Sequence, residues 1–484
     1  MRRICVIGGG AAGMMAAVSA AETTPDARVV LLEKNEKLGK KLYITGKGRC
    51  NLTNTCDTQE SFGHIARNPK FLYSAIYGFD HDAVMAFFEE SGVRLKEERG
   101  GRVFPVSDHA SDITKALEKR MRRAGVVVRL HTQVRRILIR EDAGGADSAM
   151  DGAGMALSAG RRQDADPVRA SEPARQIYGV ETADGKREFF DAVIIATGGI
   201  SYPQTGSTGD GYRFARESGH RIEECRPSLV PMDTKEDWCR DLQGLSLRNV
   251  NVRLFAESGP KKRGRQQEGS GNERCRQQGG SGTDRHTGQD PARRCIAQEF
   301  GEMLFTHFGV SGPVVLRLSA VPTLSQIDAG MHLEIDLKPA LDEETLDRRL
   351  LRDLETYSGK DMLNALRGLL PQRLIPVILK ESAIAPGCKA NTLTKEQRMR
   401  LGKALKHLTI HVSGLRGFQE AIITRGGVSV KDIDPSTMES KKVQGLYFAG
   451  EVIDTDAMTG GYNLQIAWST GHLAGRSAGE RGAK

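Results

Sequence analysis

The first thirty residues combine two apolar runs with a helix-compatible segment between them. Residues 3–8 form a short β-branched run, residues 11–21 are mostly small, and residues 27–33 form a second apolar run. A strand, a helix and a second strand in this order predict a parallel βαβ unit. Glycines at the turn between the first strand and the helix mark where a ligand could approach the backbone.

The following part of the chain continues with helical and strand periodicity. Apolar spacing predicts amphipathic helices at 82–90 and 111–124. It predicts strands at 126–130 (continuing towards Val134), 177–180 and 192–196. Residues 142–174 lose all periodicity and fill with Ala, Gly, Asp and Ser. We interpret that stretch as a loop insertion between strands.

The character of the chain changes beyond about residue 205. Short alternating segments at 250–254 and 332–337 predict a β-rich second domain, and residues 342–405 carry helical periodicity. Strands return from about residue 410, and residues 445–451 have the pattern of a core strand. At 484 residues, two or three domains are expected.

Composition excludes several classes of protein. No run of about twenty apolar residues suggests a membrane span. The chain begins directly with a strand rather than a leader peptide, so we expect a cytoplasmic protein. The eight cysteines lack any C-x-x-C pair, which argues against a zinc site, a dithiol centre or a disulfide framework. No metal site is expected.

The net charge of +9 is unevenly distributed. Between Ser258 and Arg294 there are nine Lys or Arg and four Asp or Glu, so this stretch holds more than half of the excess. Its Gly-, Gln-, Ser- and Arg-rich composition is typical of a solvated insertion. It contains no interleaved aromatic residues, which argues against a nucleic-acid partner. The favoured partner is a small-molecule substrate, and the oligomeric state stays open.

A glycine fingerprint follows the first strand. Gly8, Gly10 and Gly13 fit G-x-G-x-x-G, with Ala11 and Ala12 opening the helix. The glycines permit a tight turn, close approach to a pyrophosphate and close helix packing, and the helix N-terminus favours negative charge. Glu33 ends the second strand, where an acidic side chain can bind a ribose hydroxyl. The motif predicts a dinucleotide site.

Other segments indicate which dinucleotide is bound. A basic, glycine-rich loop follows Glu33, and its cations and bare backbone could hold a pyrophosphate and approach a flavin ring. Ala196-Thr197-Gly198-Gly199 follows a buried strand and resembles the second glycine motif of two-dinucleotide-binding flavoproteins. Residues 447–451 resemble the motif in which an acidic residue meets the flavin ribityl chain. These segments add the candidate FAD contacts Lys34, Lys40, Lys41, Gly48, Arg49, Cys50, Asn51, Thr197, Gly198, Gly450 and Glu451.

Long motifs in this sequence resemble one family. The family resemblance is to the BaiN/YhiN-type NAD(P)/FAD-dependent oxidoreductases, whose corresponding segments look like residues 31–54, 202–211, 304–313, 450–451 and 460–465 of this chain. The resemblance spans nearly the whole chain and departs at the two low-complexity stretches. It implies FAD contacts that include Ala12, Glu33, Val134, Asn463 and Leu464.

The resemblance also implies an α/β fold in which a Rossmann-like FAD-binding domain of the two-dinucleotide-binding type is interrupted by a β-barrel-like domain with a helical insert. On this basis we expect the first part of the FAD-binding domain at 1–204, a β-rich substrate domain at 205–340, a helical insert at 341–405 and a return to both domains at 406–484.

The activity that the resemblance implies is reduction by a flavin. Relatives in this family include a reductase of carbon–carbon double bonds in 3-oxo bile-acid intermediates. NAD(P)H would reduce non-covalently bound FAD, which would pass hydride to the β-carbon of an enone. Tyr202 and His307 lie in family-specific loops and are candidates to donate to the carbonyl or protonate the α-carbon. A packing role for Tyr202 and a structural role for His307 remain open.

Two alternatives remain beside this interpretation. No second G-x-G-x-x-G in a βαβ context offers a site for NAD(P)H, so the donor would bind transiently at the flavin. An oxidase of a small amine or ketone would use the same FAD site without NAD(P)H. An RNA-associated flavoprotein would use the basic segment at 258–294.

Overall fold

The computed structural model describes residues 1–141, 175–257 and 293–480. The predicted insertion at 142–174 lies outside the described residues, as does nearly all of the one at 258–294. The strands, numbered along the chain, are β1 (Arg3–Ile7), β2 (Arg28–Leu32), β3 (Thr53–Asn54), β4 (Leu95–Glu98), β5 (Arg102–Pro105), β6 (Val127–Arg129), β7 (Val134–Glu141), β8 (Arg175–Thr182), β9 (Arg187–Phe189), β10 (Ala192–Ile195), β11 (Ile222–Ser228), β12 (Met232–Thr234), β13 (Ser246–Glu257), β14 (Arg293–Phe305), β15 (Gly309–Ser311), β16 (Met331–Asp336), β17 (Leu408–Leu415), β18 (Ile423–Val428) and β19 (Leu446–Phe448).

The helices are distributed along the whole described chain. They are α1 (Ala11–Thr23), α2 (Thr58–Ser61), α3 (Tyr73–Gly78), α4 (His81–Glu90), α5 (Ala110–Arg123), α6 (Asp210–Glu217), α7 (Asp237–Asp241), α8 (Pro313–Ser319), α9 (Leu324–Ala329), α10 (Glu343–Thr356), α11 (Met362–Ala365), α12 (Ile375–Glu381), α13 (Lys395–Lys406) and α14 (Tyr462–Glu480). Short 3₁₀ turns include Leu42–Gly48, Pro203–Thr205 and Gly450–Val452.

The chain divides into two units. The first comprises Met1–Ser228 and Phe418–Lys484, and the second comprises Leu229–Gly417. The first boundary therefore lies beyond the expected position at 204. The reason is that α6 and β11 belong to the first unit, where β11 pairs antiparallel with the returning strand β18.

A five-stranded parallel sheet forms the centre of the first unit, in the order β19-β10-β1-β2-β6. Strands β1, β2, β10 and β19 are mainly buried apolar runs because parallel strands are covered on both faces, whereas the edge strand β6 is largely exposed. Ile4, Val6 and Ile194 have no solvent exposure. The C-terminal strand β19 pairs with β10, so the end of the chain completes a sheet that its beginning starts.

Helix α14 packs against α1 through three glycines spaced four residues apart. A Cβ on Gly471 would lie 2.4 Å from the carbonyl oxygen of Ala12, and one on Gly475 would lie 2.2 Å from that of Ala16. Gly479 extends the same stripe. Because residues four apart share one helix face, the stripe lets the two backbones come into contact.

Val134 begins a strand separate from β6, which is a correction to the expected continuation. His131 adopts φ of +51° between them, a left-handed conformation that turns the chain. The strand β7 then pairs antiparallel with β8. A one-dimensional apolar pattern does not reveal such a turn, because apolar residues stand at Leu130 and Val134 on either side of the polar residues 131–133.

The second unit is built on a closed barrel in the order β12-β15-β14-β13-β16-β17. Alternate residues of β13 and β16, among them Val252, Leu254 and Leu333, fill its interior. The helices α10 to α13 follow β16 and return the chain to β17. Leu350 and Leu401 of these helices join the same hydrophobic core.

Candidate functional site

A cavity with an empty volume of about 1320 Å³ lies in the first unit. That volume includes the open solvent at the mouth of the cavity, and the space inside it that can hold the centre of a water molecule is about 190 Å³. Its lining comes from the carboxyl ends of β1, β2 and β10, the loops after them, β18 and the start of α14. The predicted contacts that line it are Gly8, Gly10, Ala11, Ala12, Glu33, Lys34, Lys40, Lys41, Val134, Thr197, Gly198, Glu451, Asn463 and Leu464.

The glycine fingerprint shapes the centre of this cavity. Gly8 has φ of +107°, and a Cβ there would lie 2.6 Å from the carbonyl oxygen of Ala196. A Cβ on Gly13 would lie 1.8 Å from the carbonyl oxygen of Gly8. A Cβ on Gly10 would meet no heavy atom within 4 Å. Gly8 and Gly13 are thus required by packing, whereas Gly10 leaves the N-terminus of α1 accessible.

Glu33 connects the fingerprint to the loop after β2. One carboxylate oxygen accepts a hydrogen bond from the Gly9 amide at 2.6 Å, and the other accepts from the Asn35 backbone and side chain, each at 2.8 Å. The residue is 7% exposed. Since a carboxylate can accept about four hydrogen bonds, Glu33 keeps capacity for a ribose hydroxyl.

The end of the cavity beside Glu33 is polar. Lys34 donates to Asp210 at 2.7 Å, and Lys40 donates to Glu36 at 3.0 Å. Residues 132–134 form the adjoining wall, where the Thr132 amide donates to the Glu33 carbonyl. Both lysines are paired with carboxylates, so they contribute little net positive charge at this end.

Glu451 is the carboxylate that the C-terminal segment contributes to the cavity lining. Its carboxylate accepts from Lys41 Nζ at 2.6 Å, from Ser201 Oγ at 2.8 Å and from the Thr424 amide at 2.8 Å. Thr424 Oγ1 in turn accepts from the amides of Ile200 and Ser201. These bonds join three segments that are far apart in sequence.

The lining also has apolar members. Ile422, Ile423 and Leu464 belong to it, together with Thr455. Asn463 is held in place by the chain before α14, because its side chain accepts from the Ala457 amide at 2.9 Å and donates to the Ala457 carbonyl at 2.7 Å. These apolar side chains suit contact with an aromatic ring system.

Two hydroxyl groups in the lining have no hydrogen-bond partner. Thr197 Oγ1 and Thr455 Oγ1 are buried and unpaired among the described residues, and both residues line the cavity. Buried polar groups without a partner are rare in folded proteins. Together with the accessible helix N-terminus, they fit a polar ligand that extends along the cavity, as FAD would.

The loop at 46–51 lies beside the cavity rather than in its lining. Lys47 and Cys50 adopt φ of 59° and 61°, conformations that cost side chains about 1–3 kcal/mol. The Arg49 guanidinium pairs with Glu98 at 2.7 Å and stacks over Phe104 at 4.1 Å. These contacts hold the loop in its strained conformation.

Cys50 and Asn51 have different environments in that loop. Burial raises the pKa of the Cys50 thiol to about 12, so the thiol stays protonated at neutral pH and is a poor nucleophile. With its amide oriented to satisfy both neighbours, Asn51 donates to the Thr53 carbonyl at 3.2 Å and accepts from the Gly461 amide at 3.0 Å. Gly48 and Gly450, which were also predicted contacts, likewise lie outside the lining described above.

The two candidate catalytic residues lie in different units. Tyr202 belongs to the first unit and adopts φ of +51°, and its amide donates to the Phe418 carbonyl at 3.0 Å. Burial raises the pKa of the Tyr202 phenol, which keeps it a hydrogen-bond donor. His307 lies in the second unit, exposed on the turn between β14 and β15, with its ring centroid 4.8 Å from that of Phe308.

Sequence reasoning missed Asn35 and Asp210 of the lining, and also Ser201 and Thr424, which hydrogen-bond to Glu451. Ser201 directly precedes the family-specific motif at 202–211, and Asp210 lies within it. Both residues could therefore have been found from that motif. Asn35 directly follows the basic Lys34 and could have been included with that loop. Thr424 had no sequence signal, because only the pairing of β18 with β11 brings it to Glu451.

The fold and the cavity together define a class of protein. A parallel sheet, a glycine fingerprint at a helix N-terminus and a C-terminal segment that closes the same cavity are the features of a Rossmann-type dinucleotide-binding protein.

The chain belongs to the HI0933-like protein Rossmann domain family, whose model matches residues 2–477. It is 30% identical to the "3-dehydro-bile acid delta(4,6)-reductase" of Clostridium scindens, over 99% of this chain and 100% of that protein. It is 28% identical to the "Ribosomal RNA dihydrouridine synthase" of Escherichia coli, over 96% of this chain and 95% of that protein. The Haemophilus influenzae protein of the same name is 27% identical, over 98% of this chain and 97% of that protein.

These matches confirm the predicted family and fold class. The chain is a member of a family of FAD-dependent oxidoreductases with a Rossmann-type FAD-binding domain and a closed barrel. In the described ranges, no helix has both the length and the apolar character needed to cross a membrane.

Proposed function

We propose that this protein is an NAD(P)H-dependent reductase of carbon–carbon double bonds conjugated to a carbonyl group, with FAD as its bound cofactor. The observation that carries this proposal comes from the relatives that align with nearly the full length of the chain. Their names describe one type of reaction. A delta(4,6)-reductase and a dihydrouridine synthase both saturate a carbon–carbon double bond. We favour 3-oxo bile-acid or steroid-like compounds as the substrate class.

The residues of the cavity would hold FAD in a defined direction. The N-terminus of α1 would face the pyrophosphate, and Glu33 with residues 132–134 would hold the adenosine. Glu451 and Thr197 would meet the ribityl chain, and the apolar side chains of the lining, Leu464 among them, would receive the ring system. Bound FAD supplies two-electron transfer to an electrophilic carbon.

The reaction also needs a hydrogen-bond donor for the carbonyl and a proton for the α-carbon. Tyr202 keeps its proton because its pKa is raised by burial, which suits either role. His307 is the second candidate. We expect Tyr202→Phe and His307→Gln to slow acceptor reduction while leaving the reduction of FAD by the donor unchanged.

Anaerobic absorbance measurements test the proposal. The FAD-loaded protein would be mixed with NADH or NADPH, and then with a 4-ene-3-oxo steroid. Bleaching of the flavin followed by reoxidation on steroid addition is the expected result. Tyr178→Phe and His109→Gln serve as matched controls at positions away from the cavity lining. A flavin that stays oxidised with both donors would contradict NAD(P)H dependence, and steady peroxide formation in air would favour an oxidase.

Uridine in ribosomal RNA is the second candidate substrate. Its carbon–carbon double bond is conjugated to a ring carbonyl, so forming dihydrouridine is the same type of reaction. The names of the Escherichia coli and Haemophilus influenzae relatives favour uridine as the substrate. Reoxidation of the reduced flavin by a ribosomal RNA transcript, and not by the steroid, would select this substrate over the first.

A further inference from the structure

Helix α5 presents an exposed basic face. Its apolar side, including Ile113 and Leu117, is buried in the core of the first unit. Its exposed side carries basic residues at the spacing of one helix face, namely Lys115, Lys119, Arg122 and Arg123, with the exposed Glu118 among them. At a rise of about 1.5 Å per residue, these cations extend along about 12 Å of surface.

These four cations lack carboxylate partners. Among the described residues, none of them has a carboxylate oxygen within 4.0 Å. Arg120 on the same helix differs, because it pairs with Glu22 at 2.7 Å and with Glu90 at 3.6 Å. The charge of the exposed face is therefore available to an external partner.

A polar groove lies beside this face. It has an empty volume of about 830 Å³ and is lined on one side by Ser91–Arg94 and on the other by Lys115 and Lys119. Arg94 is exposed and, within the described chain, has no carboxylate partner. Asp112 is the acidic residue in the lining. Cations on two walls of a concave surface raise the local positive potential more than the same cations on a convex one.

The helix dipole explains only part of this arrangement. Cations in the last turn of a helix are stabilised by its C-terminal partial charge, which accounts for Arg122 and Arg123. It does not account for Lys115 in the middle of α5, nor for Arg94 on a separate segment. The two-walled groove therefore needs a different explanation.

The basic face lies on the helix that supports the cavity. A Cβ on Gly39, which lines the cavity, would lie 3.0 Å from Thr114 Oγ1 on the buried side of α5. The exposed side is one helix diameter away, about 10 Å. A chain of phosphates on this face would thus run close to the wall of the proposed FAD site.

We propose that the basic face of α5 and the adjoining groove hold the phosphodiester backbone of RNA, a proposal that rests on the second candidate substrate. A membrane surface fits less well. Membrane-bound amphipathic helices insert an apolar face, whereas the apolar face of α5 is buried in the protein core.

The test compares two charge-matched variants of the full-length, FAD-loaded protein. K115Q/K119Q/R122Q removes three cations from α5, and K395Q/K403Q/R367Q removes three exposed cations from helices and turns of the second unit. Affinity for a single-stranded RNA and for a ribosomal RNA fragment is measured by fluorescence anisotropy across a range of salt concentrations. Urea unfolding and the rate of flavin bleaching by NAD(P)H check that both variants remain folded and loaded.

The expected result is a loss of RNA affinity of at least tenfold in the α5 variant and little change in the control. The slope of log affinity against log salt should fall by about 2, since each phosphate contact contributes about 0.7 for single strands. If the wild-type protein binds RNA and the α5 variant binds equally well, RNA binding was assigned to the wrong surface, but RNA remains a candidate substrate. If the wild-type protein does not bind RNA, or binds only phosphatidylglycerol vesicles through α5, the proposal fails together with the RNA substrate. Steroid-dependent reoxidation would still support the reductase.

Discussion

Lys41 Nζ lies 2.6 Å from the Glu451 carboxylate, an ion pair between the loop after β2 and the turn after β19. The two residues are 410 positions apart in the chain. Their side chains are only 23% and 15% exposed, so the pair is shielded from solvent more than a surface ion pair. The carboxylate that was predicted to meet the flavin is therefore already oriented by the protein.

Removing either partner of this pair should weaken both the fold and FAD binding. We expect Lys41→Met and Glu451→Gln each to lower the free energy of unfolding by about 1–2 kcal/mol, because the remaining group is left partly buried without its partner. Urea unfolding of the two variants and of the double variant gives the coupling energy, which we expect to be about 1 kcal/mol. Additive effects would show that the two side chains act independently.

Gly10 and Gly13 should respond differently to substitution by alanine. Gly10→Ala should change the free energy of unfolding by less than about 1 kcal/mol, because its Cβ would meet no heavy atom within 4 Å. It should reduce FAD affinity at least tenfold, since the methyl group would enter the space at the helix N-terminus. Gly13→Ala should lower stability by about 3 kcal/mol, owing to the clash with Gly8. Flavin titration and urea unfolding separate the two effects. Unchanged FAD affinity in Gly10→Ala would place the pyrophosphate elsewhere.

The contact between α1 and α14 should not tolerate a methyl group. Gly475→Ala would place a Cβ 2.2 Å from the Ala16 carbonyl oxygen, and we expect the free energy of unfolding to fall by about 1–3 kcal/mol. Gly402→Ala is the matched control in α13, where the nearest atom lies 3.9 Å away. It should raise stability by up to about 1 kcal/mol, because alanine favours the helix. Equal effects at the two positions would contradict the close packing.

Buried His220 should make the protein less stable in mild acid. Burial lowers its pKa from 6.5 to about 4, while Nδ1 contacts the Ala215 carbonyl and Nε2 contacts Ser440 Oγ. The unfolded chain thus binds this proton more readily, and stability is lost as the pH falls from about 6.5 to about 4, by on the order of 3 kcal/mol. Urea unfolding of His220→Gln between pH 4 and pH 7 should show a smaller loss than the wild-type protein.

Asp456 should have the opposite effect on the pH dependence of stability, over nearly the same pH range. The residue is 1% exposed, and burial raises its pKa from 3.8 to about 6. The folded chain therefore binds this proton more readily, and its contribution to stability is lost as the pH rises through about 6. Asp456→Asn should make the loss of stability in acid steeper. A shallower loss would show that burial does not penalise the charged carboxylate.

Local sequence was sufficient for much of the nucleotide site. Gly8, Gly10 and Gly13 could be recognised because their roles depend on backbone geometry within one βαβ unit. Glu33 was predictable for the same reason, since it ends the second strand of that unit. Long family motifs also located Glu451 and Asn463, although the sequence alone does not reveal that Asn463 is held by Ala457.

Tertiary structure decided which residues contact each other. The pairing of Lys41 with Glu451 and the position of Thr424 depend on the chain returning after an entire second unit. The break between β6 and β7 depends on the left-handed conformation of His131. The basic face of α5 becomes visible only when buried and paired cations are separated from exposed, unpaired ones. The sequence by itself thus determined the dinucleotide fingerprint, because it depends on short-range geometry. It also determined the family and the fold class, because long motifs along nearly the whole chain carry the resemblance. Only the folded structure decided which side chains are paired, buried or available, because contacts between distant residues depend on how the whole chain packs.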